Sequence, residues 1–207
     1  KKKKAETRKA REIMRKMVNT QLSRFDMEIS KWKIGLESWE DVNNPTTAEL
    51  IRVYNDIALD PHLTAAIETR KSRTLSKDYK ICDEDGEKID EESEIFNSIW
   101  FRDYVKFALD SRFYGYSLIQ FGDRVKNGFD YVKLVPREYV YPQKMAVRKS
   151  SFSNQPLIPI KTGKFAPWVQ FVGRRGDDLG LLAKAAPMLI YKKTTQAAWA
   201  EFSELFG

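Results

Sequence analysis

The sequence predicts an α+β protein, with several amphipathic helices around a small, mainly antiparallel sheet. Two observations carry the class. Apolar residues recur at helical spacing in several segments, as at Leu50, Val53, Tyr54 and Ile57. Short β-rich runs are bounded by turn residues: YSLIQF at 116–121 is followed by a loop, Gly122 to Gly128, and a returning run, Phe129 to Val135, which together read as a hairpin.

The elements follow in order. Residues 5 to about 31 form a helix, with Ile13, Met14, Met17, Val18 and Leu22 on one face that continues through Phe25 and Ile29. Trp32 to Asn44 reads as a loop or short strand ending in the turn NNP. Thr46 or Thr47 then caps a helix, with Glu49 completing a capping box after Thr46. Asp60 caps the next helix, and Pro61 takes its first position, where a missing N–H costs least. Leu63 and Ile67 run along it. Asp78 to Ile81 is a short strand turned by DEDGE. Ser93 to about Tyr114 is a helix ended by Gly115. Tyr139 to Tyr141 is a further strand, and residues 148–167 form a Ser-, Pro- and Lys-rich linker. The run Trp168 to Gly173 is a strand leading into the loop GRRGDD. A helical pattern follows, broken at Pro187, whose aromatic stripe of Tyr191, Trp199, Phe202 and Phe206 needs a partner surface. Gly207 suits a helix cap, and the chain reads as the N-terminal piece of a longer protein.

Composition bounds the function. The 207 residues, 42% hydrophobic and 13% aromatic, suffice for one large domain or two small ones. No apolar run nears the roughly 18 residues of a membrane span, and the basic start lacks the apolar stretch of a signal peptide. Cys82 is the only cysteine, which excludes an intramolecular disulfide and fits a reducing compartment. The net charge of +7 is uneven. Residues 1–24 hold ten Lys or Arg against Glu6 and Glu12, a net +8, so the remainder sums to −1. A basic leader on a near-neutral body is either a solvated helix end or a contact for nucleic acid or an acidic partner through Arg8, Arg11 and Arg15.

Catalytic patterns are sparse. His62, the single histidine, follows Pro61 at a helix start, where a surface or capping role is the ordinary reading, because a catalytic role needs a partner base or nucleophile. There is no GxxxxGK[ST] phosphate loop, and GRRGDD lacks dinucleotide spacing. No metal, cofactor or catalytic residue is assigned. Asp83, Glu84 and Asp85, and Asp177 and Asp178, form two acidic clusters; a metal-dependent nuclease would require them to converge, whereas acidic residues in Gly-containing turns ordinarily face water. Asp177 or Asp178 also suits the cap of a helix beginning near Leu179. Arg174, Arg175, Lys192 and Lys193 are candidate phosphate or partner contacts.

Four segments together resemble tailed-bacteriophage portal proteins of the phage Mu-like branch. They are NDIALDPHLTAAIETRKSRTLSKDYKI (55–81), FALDSRFYGYSLIQF (107–121), YVKLVPREYVYP (131–142) and PMLIYKKTTQAAWAEFSELFG (187–207). Gln120 stands where the family's strand commonly has glutamate. The resemblance implies a structural, non-enzymatic subunit of a ring, a dodecamer by family habit, at the head vertex of the virion. Double-stranded DNA passes through such a ring during packaging and ejection, terminase docks on it, and capsid and head-completion proteins contact it; assembly takes place in the bacterial host cytoplasm, without a membrane. It further implies residues 1–45 as a basic helix and loop and 46–207 as the α+β wing, truncated before stem and clip. Tyr191, Trp199, Phe202 and Phe206 are then candidate oligomer contacts. A nucleic-acid-binding interaction module and a metal-dependent nuclease remain the alternatives.

Overall fold

The computed structural model describes the backbone of residues 2–126, 128–149 and 156–206, and their side chains except at 2–11, 21, 91–92 and 205–206. Six α-helices and eight strands run α1 (Lys2–Glu40), α2 (Ala48–Ile57), α3 (Pro61–Leu75), α4 (Asp90–Ser93), α5 (Ile99–Tyr114), β1 (Tyr116–Phe121), β2 (Arg124–Val125), β3 (Gly128–Phe129), β4 (Val132–Leu134), β5 (Val140–Tyr141), β6 (Ala146–Val147), β7 (Ile158–Pro159), β8 (Val169–Gly173) and α6 (Gly180–Phe206). The class is α+β, as predicted.

Strand β1 is the centre of the main sheet, ordered β4-β1-β8 and antiparallel throughout. Its first four residues are buried, which explains its near-continuous apolar sequence: both faces are covered. A second antiparallel sheet is ordered β5-β6-β7, and β2 and β3 form a separate hairpin. The core joins Trp39 of α1, Leu50, Ile51, Tyr54 and Ile57 of α2, Tyr116 and Leu118 of β1, and Leu182, Ala186 and Ile190 of α6. Tyr116 lies nearly parallel to both Trp39 and Phe171, with ring centroids 6.4 and 6.2 Å away.

Several expectations are corrected. Trp32 to Glu40 is helix, not loop, because Phe25, Ile29, Trp32, Leu36 and Trp39 alternate spacings of four and three and all pack on the core. Asp41 ends α1 by accepting hydrogen bonds from the Asn43 and Asn44 amides at 2.8 and 3.1 Å. Thr47 precedes α2 but makes no side-chain cap; its hydroxyl is drawn inward to the carbonyls of Arg137 (3.2 Å) and Val140 (3.0 Å). The segment expected as a strand at Asp78–Ile81 is not strand; the pairing there is a single bridge just after it, Cys82 to Lys88. The expected helix 93–114 is interrupted: a 3-10 turn occupies Glu94–Asn97, Ser98 is extended, and its hydroxyl accepts from the Phe101 amide to start α5. The returning strand is split into β3 and β4. The linker contributes β7 and a 3-10 turn at Ala166–Trp168. Helix α6 runs through Pro187. The proline removes one backbone donor, but Ala183, Ala186 and Ile190 on either side of it are buried in the core, and tertiary packing outweighs the local penalty.

Other signals hold. Asp60 caps α3, its carboxylate accepting from the Leu63 amide at 3.0 Å, with Pro61 at the first position. Asp178 accepts from the Gly180 amide at 2.8 Å where α6 begins. Gly115 ends α5. Gly207 lies outside the described residues.

Candidate functional site

The charged residues that sequence reading left in the background meet in the interior. Lys71 reaches from α3, Asp110 from α5, and Arg137 from the 3-10 turn that follows Pro136. The Lys71 ammonium, with a side chain 5% exposed, lies 2.8 Å from one Asp110 oxygen and 3.1 Å from Glu68. The Arg137 guanidinium lies 3.7 Å from the other Asp110 oxygen. Arg137 also donates to the Tyr116 carbonyl and to the Ser117 hydroxyl, each at 3.2 Å, and stacks on the Tyr114 ring at 4.0 Å. The Tyr116 hydroxyl returns a bond to the Arg137 carbonyl at 2.8 Å.

This network joins α3, α5, β1 and the β4–β5 connection. Through Thr47, which donates to the same Arg137 carbonyl, it reaches the start of α2 as well. Its electrostatics suit a lock. Burial pushes the Lys71 ammonium's pKa down, but hydrogen bonds and charge from Asp110 and Glu68 outweigh that and hold it above the ordinary lysine value. Burial pulls the Arg137 guanidinium down, against the opposing pull of Asp110. The two buried cations share the largely buried carboxylate of Asp110, and Lys71 is also answered by the half-exposed Glu68, so neither cation is left without an opposite charge.

A second joint sits just beyond the carboxyl-terminal end of α5. Gly115 and Gly180 both adopt left-handed backbone, with φ of +89° and +72°. A Cβ on Gly115 would stand 2.0 Å from the Asp178 carbonyl oxygen, and one on Gly180 would stand 2.3 Å from the Gly115 nitrogen. Only glycine permits this approach of two chains. Tyr54 closes the joint by donating to the Leu179 carbonyl at 2.8 Å.

The surface candidates sit elsewhere. Trp199, 70% exposed, meets Phe202 edge-on at 6.3 Å, and with Thr195 and Ala198 they line an open groove of about 320 Å³. Tyr191 is exposed and meets Phe25 of α1 edge-on at 6.0 Å. Arg24 of α1 is ion-paired to Glu201 of α6. The middle of α1 thus lies against α6, and α1 also carries exposed Met14, Val18 and Leu22. Arg15 is exposed on α1, and Arg174 and Arg175 are exposed after β8. Lys192 pairs with Asp60 and Lys193 with Asp56 (3.3 Å), so both ammonium charges are answered within the chain. The side chains of Arg8, Arg11 and Phe206 lie outside the described residues.

The acidic clusters serve local turns. Asp83 accepts from the amides of Asp85 (3.1 Å) and Glu87 (2.8 Å), and Asp178 caps α6. Among the described residues, no group of three or more His, Cys, Asp or Glu stands together as metal ligands. Among the same residues, no helix is long and apolar enough to cross a membrane.

Sequence reading missed the Lys71–Asp110–Arg137 network, although a signal was present. Each of the three is a charge within one of the segments singled out above, ETRKSRTL, FALDSRFYGYSL and KLVPREYV. A family model described as the portal protein of Mu bacteriophage matches residues 51–207, which include all three. No curated protein and no solved structure matches the chain.

Proposed function

We propose that this chain, which belongs to the family of Mu bacteriophage portal proteins, is a subunit of a closed ring at the head vertex of the virion, the conduit for DNA packaging and ejection. The single observation that carries the reading is the family match from residue 51 to residue 207. In this reading residues 46–207 are the wing of the subunit, and 1–45 are its basic helix and loop. The ring is a dodecamer, terminase docks on it, and capsid and head-completion proteins contact it.

Two physical features support the reading. A ring is built from heterologous contacts, in which each copy offers two different faces. The exposed aromatic groove of Trp199 and Phe202 is an apolar face of the sort that marks protein contacts. Residues 25–207 carry a net charge of only −1, which suits a conduit, because each neutralised phosphate strengthens binding and would hold a duplex that has to slide.

Electron microscopy of the purified protein tests the proposal. The expected result is closed rings with a central opening of about 20 Å or more, wide enough for a duplex. Monodisperse monomers at every salt concentration would overturn it.

A further inference from the structure

The sequence carries two strongly charged segments of opposite sign. Residues 1–24 have a net charge of +8, and from Lys2 onward they belong to α1. Between Asp83 and Glu94 eight carboxylates face one cation, Lys88, a net charge of −7. Neither is an accident of a loose tail. The acidic segment is a built hairpin: Cys82 bridges Lys88, the Asp83 amide donates to the Glu87 carbonyl at 2.9 Å, and the Ile89 amide donates to the Ile81 carbonyl at 2.9 Å. Buried Ser93 fixes its base, accepting from the Ile81 amide at 3.0 Å and donating to the Ile89 carbonyl at 2.6 Å. Residues 83–88, Asp90 and Glu94 are exposed on this frame.

Among the described residues, no ion pair joins the two segments within one chain. Among the described residues, the recorded ion pairs of these segments are Lys88–Asp90 in the hairpin, and Lys16–Glu12 and Arg24–Glu201 on α1. Each segment also has apolar surface beside its charge. Met14, Val18 and Leu22 are exposed on α1, with Val18 57% exposed. Next to the hairpin a groove of about 690 Å³ is lined by Tyr79 together with the acidic residues Asp78, Asp90 and Glu94 and the basic residues Lys80 and Lys88. Exposed Ile99 follows at the start of α5.

We infer that the amino-terminal half of α1 docks against the 83–94 hairpin of a second copy of this chain, as a head-to-tail contact. The inference rests on the ring reading above and names the two faces that meet. Charge complementarity argues for it: the +8 and −7 segments nearly cancel across one contact, while like segments placed together would repel. The contact is heterologous, as closure into a ring requires. A duplex is the other natural partner for a basic helix, but phosphates would leave Met14, Val18 and Leu22 in water, whereas the hairpin groove offers Tyr79 to them and exposed Ile99 follows at the start of α5.

Charge exchange tests this. The full chain is made as the unmodified protein, as Arg15→Glu/Lys16→Glu, as Glu84→Lys/Asp85→Lys, and as all four together. Asp83 is left in place because its carboxylate holds the turn. Association is followed by sedimentation at low salt, about 50 mM, where screening is weak, and circular dichroism confirms folding. Each charge reversal is expected to weaken association about tenfold or more, and the four-substitution chain to recover to within about threefold of the unmodified protein. Reversals without effect, or a combined chain that does not recover, overturn the inference while rings in the unmodified protein keep the portal reading intact. Loss of binding to a short DNA duplex in Arg15→Glu/Lys16→Glu, with association unchanged, also overturns it and assigns the helix to nucleic acid. An unmodified chain that stays monomeric at every salt concentration removes both.

Discussion

Arg137 and Tyr116 hold each other from both ends. The Arg137 side chain donates to the Tyr116 carbonyl at 3.2 Å, and the Tyr116 hydroxyl donates to the Arg137 carbonyl at 2.8 Å. The exchange fastens the β4–β5 connection to the start of the central strand. Its geometry depends on the guanidinium, which spends further donors on Ser117 and Asp110 while its flat face lies on Tyr114. Arg137→Lys keeps the charge but loses the fork and the stacking face. It is expected to destabilise the fold by about 1.5–3 kcal/mol, the range for hydrogen bonds involving a charged group. Urea denaturation measures this, and a loss under about 0.5 kcal/mol, the scatter of neutral surface changes, would show that charge alone suffices.

Asp110 and Glu68 both contact Lys71 but should differ sharply on neutralisation. Asp110 is largely buried between two cations, and Asp110→Asn leaves Arg137 uncompensated and Lys71 with only the half-exposed Glu68, at an expected cost of about 3–5 kcal/mol. Glu68 is 54% exposed, so Glu68→Gln should cost less than about 1 kcal/mol. Comparison of the two midpoints at fixed denaturant slope decides the point; equal losses would contradict a buried network centred on Asp110.

The interior tyrosines predict alkaline lability. Burial raises the pKa of Tyr54 and Tyr116 well above the ordinary tyrosine value, and Lys71 is raised as well. Groups raised in the folded state contribute fully below the unfolded value, about 10 for tyrosine, and lose that contribution as pH rises toward the folded value. Above about pH 10 the unfolded chain gives up protons that the folded chain retains, so stability falls by about 1.4 kcal/mol per pH unit for each such group. The Tyr54→Phe/Tyr116→Phe protein should show a shallower fall in urea midpoint over this range, and an unchanged slope would count against the assignment.

Gly115 cannot carry a side chain. Gly115→Ala would set a Cβ 2.0 Å from the Asp178 carbonyl oxygen in a left-handed conformation. Backbone strain of about 1–3 kcal/mol adds to the clash, and the variant is expected to lose most soluble, protease-resistant protein. Gly86→Ala is the control: its φ is also +89° but open space surrounds it, so it should cost only the strain. Equal behaviour of the two would show that the close approach is not what constrains Gly115.

Trp199 and Phe202 separate folding from assembly. Both are exposed in the described chain, so the Trp199→Ala/Phe202→Ala protein should unfold within about 0.5–1 kcal/mol of the unmodified protein. If they form the proposed contact, association should weaken by about tenfold or more, since large aromatic residues dominate interface energetics. Thermal unfolding and sedimentation on the same preparation read the two effects, and unchanged association would free these residues from the interface.

Local signals in the sequence determined much of this protein. The class, strand β1 at 116–121, the Asp60–Pro61 helix start, the Asp178 cap and the Gly115 stop all follow from side-chain chemistry acting within a few residues. The portal segments were legible for the same reason, as short runs with fixed residue types. Tertiary structure decided the rest. Helix α1 continues past Trp32 because α2 and α6 cover its aromatic stripe, and α6 survives Pro187 because its flanks are buried. Thr47 turns away from its cap because two interior carbonyls need donors. The Lys71–Asp110–Arg137 lock depends on contacts across 39 and 27 positions; spacing along a chain cannot report them, because buried charges find their partners only when separate elements exclude water together.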